Sequence, residues 1–229
     1  QDQNTITVSG AFALYPLMVR WAEDYQAAHP DVRIDVSAGG AGKGMADALS
    51  GAVNIGMVSR GIKPEEEAQG AYVIAVTKDA VFPVVNANNP VLEDILQKGI
   101  SRETFAKIYI TGEITTWGEV IGKPEVTNKI SVYTRSDSCG AAEMWAKFLG
   151  DKAQEDLKEY GMSGDPGLLE AVIKDPMGIG YNNLNYAFDA ATGKAVAGAV
   201  VVPVDINDNG LVDEAEKLDT KDMAIQAVD

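Results

Sequence analysis

The sequence has little of the chemistry on which many enzymes and metal sites depend. Its 229 residues contain one cysteine, Cys139, and one histidine, His29. A single cysteine rules out an internal disulfide and leaves the redox compartment undecided. A single histidine excludes His-rich metal sites. Because His29 lies near the C-terminal end of an amphipathic helical pattern, the sequence does not favour a Ser-His-Asp triad.

Positive charge and long apolar runs are also scarce. The chain has 19 Lys and Arg residues and 34 Asp and Glu residues, which gives a net charge of −15. This balance argues against nucleic-acid binding, which needs a basic face. No apolar run reaches the length of a membrane span. The polar start, residues 1–4, shows no signal peptide, although one could have been removed. Because the net charge is strongly negative, an anion ligand must be captured by local hydrogen-bond donors against an unfavourable overall electrostatic field.

What the sequence has is an alternation of strands and helices. Apolar residues make up 46% of the chain, enough for the cores of one large or two small domains. Predicted strands at residues 5–8, 32–36 and 54–58 each end in a small or polar turn that leads on to a helical pattern. This alternation predicts an α/β fold. In open α/β sheets, ligands collect at the carboxyl ends of the strands.

Residues 133–143 carry the strongest local signal for a binding site. A β-branched run leads into them and a helical pattern follows. A strand that turns through small residues into a helix presents backbone N–H groups, and with the helix dipole these attract anions. Arg135 adds a planar guanidinium suited to oxyanions, and Asp137 is placed to orient it. The alternative is a capped helix with a surface ion pair.

A glycine-rich run at residues 39–44 does not match a nucleotide-binding motif. Lys43 is followed by Gly44, where a P-loop requires Ser or Thr, and the spacing of the dinucleotide fingerprint is absent. Two interpretations remain open. The run is either a flexible turn or a place where the backbone approaches a small anion.

The rest of the chain continues the α/β pattern. Residues 72–86 read as a long β-rich segment, and a turn cluster after residue 86 predicts the first domain boundary. Further strands are predicted at 178–181 and 199–204. Further helical patterns cover residues 91–98, 101–109, 152–160 and 166–174.

Residues 205–216 match the twelve-residue calcium loop at every diagnostic position. Gly210 permits the sharp turn at position 6, and Val212 is apolar at position 8. The predicted Ca²⁺ ligands are side chains of Asp205, Asn207, Asn209, Asp213 and Glu216 and the carbonyl of Leu211. Because a strand and not a helix precedes the loop, we expect a structural ion and no signalling switch. The alternative is an acidic, Asn/Gly-rich surface turn.

Taken together, the motifs resemble the phosphate-binding solute receptors of ABC importers, in the short form of bacteria and archaea. The resemblance covers nearly the whole chain in the family's order, at residues 8–17, 39–42, 54–60, 110–117, 134–137 with Gly140, and 178–181. It implies a two-lobed, type II periplasmic-binding-protein-like fold, each lobe a mixed sheet flanked by helices, with the anion between the lobes. The implied lobes are 1–85, completed by residues after Asp229, and 86–204. Residues 205–229 form the calcium-loop segment.

The resemblance also implies which residues bind the anion. By position, the family's loops fall on Ala11, Phe12 and Ala13; Gly40 and Ala41; Ser59 and Arg60; and Arg135, Asp137, Ser138, Cys139, Gly140 and Ala141. The family usually has hydroxyl residues in the first two loops and at the positions of Cys139 and Ala141. Backbone N–H groups survive these changes, but each hydrogen bond lost to a charged group is worth roughly 1.5–3 kcal/mol. A weaker phosphate site and a site for another oxyanion are therefore both open.

With the resemblance, the sequence predicts a monomeric, non-catalytic receptor in the periplasm or at the cell surface. It captures a tetrahedral oxyanion, first of all phosphate, and passes it to a membrane ABC permease. One alternative is a calcium-stabilised adhesion or scaffold module. Another is a calcium-dependent phosphoryl hydrolase with Cys139 as nucleophile, near a helix N-terminus and Arg135. No general base is evident beside Cys139, and the Arg-then-Cys order matches no phosphatase loop.

Overall fold

The computed structural model describes residues 4–228, which divide into two compact units. The first comprises the chain up to Asp79 together with Asp137–Ala141. The second comprises Ala80–Ser136 and the chain from Ala142 onward. Both units combine β-sheet with helices, so the predicted α/β fold is confirmed.

The first unit is built on a three-stranded parallel sheet in the order β2-β1-β3. Its strands are β1 (Thr5–Gly10), β2 (Arg33–Ala38) and β3 (Ile55–Met57). The helices that follow them are α1 (Tyr15–Ala28), α2 (Ala41–Leu49) and α3 (Pro64–Ala68). Because the strands are parallel, their carboxyl ends lie at one edge of the sheet, and each helix begins beyond that edge.

Helix α2 packs on this sheet along a seam of glycines. A Cβ added to Gly44 would lie 2.4 Å from the carbonyl oxygen of Met57 and 2.7 Å from the Cα of Gly10. A Cβ on Gly56 would lie 2.4 Å from the carbonyl oxygen of Gly44. These distances leave no room for side chains, so the helix lies with its backbone directly on the backbone of β1 and β3.

The second unit contains a five-stranded mixed sheet and a separate two-stranded pair. The sheet has the order β7-β6-β8-β4-β9, in which β6 is parallel to β7 and β8, and β4 is antiparallel to β8 and β9. The strands are β4 (Val81–Asn86), β5 (Ile100–Ser101), β6 (Ser131–Arg135), β7 (Tyr160–Met162), β8 (Gly178–Asn183), β9 (Ala199–Val201) and β10 (Val204–Asp205). Strands β5 and β10 form the pair.

Helices cover this sheet and bury a large aromatic cluster. They are α4 (Leu92–Lys98), α5 (Arg102–Ala106), α6 (Trp117–Ile121), α7 (Gly140–Phe148, which begins in the first unit), α8 (Gly164–Lys174), α9 (Leu184–Ala187) and α10 (Lys221–Val228). A π-helical turn, Lys107–Thr111, follows α5. The rings of Tyr109 and Tyr181 both pack against Trp145, with centroids 5.7 and 5.6 Å from it. Among residues 4–228, none of the helices combines the length and the hydropathy that a transmembrane span requires.

The structure departs from the sequence reading at two segments. The helix predicted at 152–160 is wrong: the chain forms a short 3₁₀ turn, Gln154–Asp156, and then enters β7, which pairs in parallel with the end of β6. In the segment 72–86, only Val81–Asn86 forms a strand, and residues 71–80 have no regular structure.

The unit boundaries also differ from the implied lobes 1–85, 86–204 and 205–229. Strand β4 belongs to the second unit because it pairs with β8 and β9. The residues after 204 belong there as well, since β10 pairs with β5. Residues 137–141, in contrast, belong to the first unit.

The glycine seam gives a first testable prediction. Gly44→Ala should lower the free energy of unfolding of the first unit by about 1–3 kcal/mol, because its methyl group has to push two backbones apart. Gly61→Ala is the matched control, since no atom lies within 4 Å of an added Cβ there, and its effect should stay within about 0.5 kcal/mol. Chemical denaturation measures both variants. Equal losses would show that the seam is not tightly packed.

Candidate functional site

Predicted anion loops follow all three strands of the first unit. Ala11–Ala13 come after β1, Gly40 and Ala41 after β2, and Ser59 and Arg60 shortly after β3. The fourth loop, Asp137–Ala141, belongs to the same unit. Every predicted anion-binding residue except Arg135 therefore lies in this unit.

Backbone hydrogen bonds tie the first three loops together. The amides of Gly39 and Gly40 donate to the carbonyl oxygen of Gly10 at 2.9 and 3.1 Å. The amide of Ala11 donates to the carbonyl oxygen of Met57 at 2.9 Å. The strand ends are thus held side by side by the main chain.

The fourth loop closes against the second and third. The amide of Gly42 donates to the carbonyl oxygen of Ser138 at 3.1 Å. A Cβ on Gly40 would lie 2.8 Å from the Oδ2 of Asp137, and one on Gly140 would lie 1.5 Å from the carbonyl oxygen of Ser59. Only glycine permits the second approach. The structure therefore brings all four loops together around the start of α7.

Helices α1 and α2, which begin after the first two loops, are not capped by side chains of their N-cap residues. The N-cap residues Leu14 of α1 and Gly40 of α2 make no side-chain cap hydrogen bond, and neither helix has an acidic residue in its first turn. The first N–H groups of a helix have no partner inside the helix and carry the positive end of its dipole. Such helix starts bind oxyanions through the backbone.

Small, buried side chains line the loops. Ala11, Ala41, Cys139 and Ala141 are all buried. None of these four side chains carries a hydroxyl group, whereas Ser59 and Ser138 in the third and fourth loops do.

Arg60 has an acidic partner within the first unit. Its Nη1 and Nη2 donate to the Oε2 and Oε1 of Glu66 at 2.9 and 2.6 Å. The two side chains are 5% and 13% exposed. Hydrogen bonding to this guanidinium lowers the pKa of Glu66 to about 2. The pair braces the start of α3, and a contact between Arg60 and an anion stays a prediction.

Arg135 ends β6 and is held by an acid that the sequence analysis did not single out. Its Nη1 donates to the Oδ2 of Asp165 at 2.6 Å, and both side chains are 1% exposed. Asp165 lies in the first turn of α8, and its Oδ1 accepts from the Nδ2 of Asn182 at 3.2 Å and the amide of Asn183 at 3.0 Å. Asp165 thus holds the guanidinium of Arg135, and the predicted role of Asp137 in orienting it stays a prediction.

In the predicted calcium loop, two buried carboxylates accept hydrogen bonds from backbone amides of the same loop. Asp205 and Glu216 are both 5% exposed. Asp205 accepts from the amides of Asn209 and Gly210 at 3.2 and 2.9 Å. Glu216 accepts from the amides of Ile206 and Asp213 at 2.8 and 3.0 Å.

Two further features of this loop bear on metal binding. The Nδ2 groups of Asn207 and Asn209 donate to the Oδ2 of Asp213 at 2.6 and 3.2 Å. Throughout residues 4–228, no three His, Cys, Asp or Glu side chains are grouped so that they could hold a metal ion. Half of the predicted ligands are amide or carbonyl oxygens, however, and Ca²⁺ binding in this loop remains a prediction.

Comparisons with known proteins identify a matching family and several relatives of the chain. The family described as the PBP superfamily domain matches residues 1–225. The phosphate-binding protein PstS of Bacillus subtilis (strain 168) is 34% identical over 187 residues, which cover 81% of this chain and 59% of that protein. The phosphate-binding protein PstS of Methanocaldococcus jannaschii is 28% identical over 214 residues, which cover 80% of this chain and 54% of that one. The chain thus matches less than two thirds of the length of these relatives.

A solved structure is also similar to this chain. A putative phosphate ABC transporter substrate-binding protein from Clostridium perfringens, with bound phosphate, superposes with a TM-score of 0.73 at 27% identity. The match covers 88% of this chain and 76% of that one.

The ion pair of Arg60 and Glu66 gives a prediction about pH. The folded pKa of Glu66, about 2, lies below its ordinary value of 4.5. Its contribution to stability is therefore present above pH 4.5 and is lost as the pH falls toward 2. Glu66→Gln should lower the free energy of unfolding by about 2 kcal/mol at neutral pH, and the difference from wild type should shrink in acid.

The control for this prediction is Glu65→Gln, on the same helix but exposed. Its unfolding free energy should follow that of the wild type at every pH. A constant difference between Glu66→Gln and wild type from neutral pH down to pH 2 would contradict the assigned pKa shift.

Proposed function

The chain belongs to the PBP superfamily domain family, and from this premise we propose that it is an extracytoplasmic receptor that captures inorganic phosphate for an ABC importer. The observation that carries the proposal is the meeting of four small-residue loops in the first unit. Backbone N–H groups at the starts of α1, α2 and α7 supply donors for the oxygens of a tetrahedral anion.

The relatives support phosphate as the ligand. Two of them are named phosphate-binding proteins, and the similar solved structure holds bound phosphate. In this chain, capture rests on the backbone of the loops, because Ala11, Ala13, Ala41 and Ala141 bring no hydroxyl groups. Arg135 supplies the positive side chain, with Asp165 as its buried partner. Local donors of this kind act against the net charge of −15.

A receptor for a transporter has to bind and release its ligand and does not need to catalyse a reaction. The similar solved structure is titled a putative phosphate ABC transporter substrate-binding protein. Cys139, the only candidate nucleophile that the sequence raised, is buried at the start of α7. We therefore propose a monomeric binding protein that takes part in no chemical step. Its macromolecular partner is a membrane permease.

A structural Ca²⁺ in residues 205–216 is a second, separate part of the proposal. The support is the agreement between the twelve-residue pattern and the local backbone: Gly210, at position 6, has φ +76°, and the carboxylate at position 1 accepts from the amides at positions 5 and 6. Without an ion, the carboxylates of Asp205, Asp213 and Glu216 share one short loop. A bound cation would remove their repulsion and brace the turn that leads to α10.

Replacing Arg135 tests the phosphate site. Arg135→Ala should weaken phosphate binding at least about tenfold, since a hydrogen bond to a charged group is worth roughly 1.5–3 kcal/mol. Because Arg135→Ala leaves the buried Asp165 without its cation, Arg135→Lys is measured beside it. The lysine keeps the charge but loses the planar fork, so binding should weaken there too.

Calorimetry with inorganic phosphate provides the readout for these variants. The control is Arg20→Ala, an exposed arginine paired with Asp24 on α1, which should bind like the wild type. Unchanged affinity in both Arg135 variants would remove this residue from the site. A wild-type protein that binds no phosphate would overturn the proposed function itself.

Melting with and without Ca²⁺ tests the loop. A ligand present at about a hundred times its Kd stabilises a protein by roughly 2.7 kcal/mol, so Ca²⁺ should raise the Tm of the chelated protein. Glu216→Gln should abolish this rise because it removes a charged ligand at position 12. Glu214→Gln should not, since Glu214 is exposed and occupies a non-ligand position. Equal melting temperatures in chelator and Ca²⁺, with no calcium in metal analysis, would reduce the loop to an acidic turn.

A further inference from the structure

Asn209 and Gly210 lie in an exposed loop of the second unit and form the one Asn-Gly pair of the sequence. Asparagine is among the thermally labile residues of proteins. Its side-chain amide can be attacked by the backbone nitrogen of the next residue. A glycine at that position obstructs the attack least because it has no Cβ. The pair is therefore a candidate site of covalent self-modification.

We propose that Asn209 deamidates spontaneously and that its surroundings in the loop at residues 205–216 promote the reaction. The nitrogen of Gly210 gives its proton to water and forms a bond to the Cγ of Asn209. The bond from Cγ to Nδ2 breaks, and Nδ2 takes up a proton from water and leaves as ammonia. Water then opens the resulting succinimide ring and gives aspartate or isoaspartate. The net reaction consumes one water and releases one ammonia, with no oxidant or reductant.

The local backbone favours this attack. Gly210 has φ +76°, a conformation that glycine adopts without strain, and no atom lies within 4 Å of a Cβ added to it. The Oδ1 of Asn209 accepts from the amide of Leu211 at 2.8 Å. This hydrogen bond closes a ring that contains both the Cγ of Asn209 and the nitrogen of Gly210, which limits how far apart the two atoms can move. The same N–H group stabilises the negative charge that develops on Oδ1 during the attack.

The two nitrogens that take part in the reaction both donate to carboxylates. The amide of Gly210 donates to the Oδ2 of Asp205 at 2.9 Å. A charged acceptor strengthens this hydrogen bond and increases the negative charge on the attacking nitrogen. The Nδ2 of Asn209, which leaves, donates to the Oδ2 of exposed Asp213 at 3.2 Å. Ammonia is therefore released at the surface, where water can carry it away.

Asn207 provides an internal control two residues earlier in the same loop. It is also exposed, its Oδ1 accepts from the amide of Asn209 at 3.0 Å, and its Nδ2 donates to Asp213 at 2.6 Å. The residue that follows it, Asp208, has φ +56°. The turn at Asn207 thus resembles the turn at Asn209, but the attacking nitrogen would belong to a residue with a side chain.

Deamidation would change the charge of the loop at a defined place. Asn209 stands at position 5 of the predicted calcium loop, beside the carboxylates of Asp205 and Asp213. Aspartate at this position adds one negative charge, and isoaspartate also adds one carbon atom to the main chain. An aged preparation should therefore contain a more acidic form that isoelectric focusing separates. This inference depends on neither the proposed phosphate site nor bound Ca²⁺.

The wild-type protein provides the main test. The folded chain is incubated at mildly alkaline pH, which favours loss of the amide proton, and in chelator, which keeps the result independent of Ca²⁺. Peptides taken at intervals are analysed by mass spectrometry, with Asn209→Asp as the standard for the aspartate product. Conversion at Asn209 should be at least about tenfold faster than at Asn207, which requires a barrier difference of about 1.4 kcal/mol. Equal or slower conversion at Asn209 would overturn the inference.

Three variants test how the reaction proceeds. Gly210→Ala should slow conversion at least about tenfold, because its methyl group obstructs the attack, and a rate equal to that of wild type would overturn the assigned nucleophile. Asp205→Asn should slow it at least about threefold, since the acceptor of the Gly210 amide loses its charge. Glu216→Gln is the matched control, because Glu216 also accepts from two amides of the loop but not from that of Gly210. Equal rates in the two carboxylate variants would overturn the promotion that we assign to Asp205.

Discussion

The approach of Gly140 to the carbonyl of Ser59 is the constraint on which the rest of the first unit depends. A Cβ at Gly140 would lie 1.5 Å from that oxygen, so the start of α7 reaches the loop after β3 only because no side chain intervenes. The absence of side chains at Gly44, Gly10 and Gly56 likewise lets α2 lie directly on β1 and β3. Close backbone packing thereby gathers helix starts whose N–H groups have no partner inside their own helices.

Electrostatics is the reason for which we propose an anion site built on the backbone. The two arginines that the sequence places in the anion loops both meet carboxylates: Arg60 is held by Glu66, and Arg135 by Asp165. Each pair is close to neutral, in a protein with a net charge of −15. Fixed N–H dipoles attract an anion without adding charge to the site, and they tolerate the loss of hydroxyl side chains.

The sequence predicted the features that depend on local pattern. Strands β1 to β3, the turns after them and helix α8 follow from short-range alternation and small residues, and the turn at Gly210 follows from its calcium-loop position. Prediction from the sequence failed where contacts between residues far apart in the chain determine the local structure. Residues 152–160 have a helical pattern, but Tyr160–Met162 pair with β6 and form a strand. Asp165 has the sequence context of an ordinary residue in a first helical turn, and only the structure shows that it is the buried partner of Arg135, thirty residues away.

The central claim is that the backbone of the four loops binds the oxyanion, and amide chemical shifts test it most directly. In a phosphate titration followed by two-dimensional ¹⁵N–¹H NMR, the account predicts that the largest saturable shifts belong to the amides of residues 12–13, 41, 59–60 and 138–141, because the amides of Ala11 and Gly40 already donate to main-chain carbonyl oxygens. Hydrogen bonding to an oxyanion acts on the N–H group itself, so these signals report binding whatever the side chains are. Saturable shifts confined to other parts of the chain, with those amides unmoved, would contradict the account.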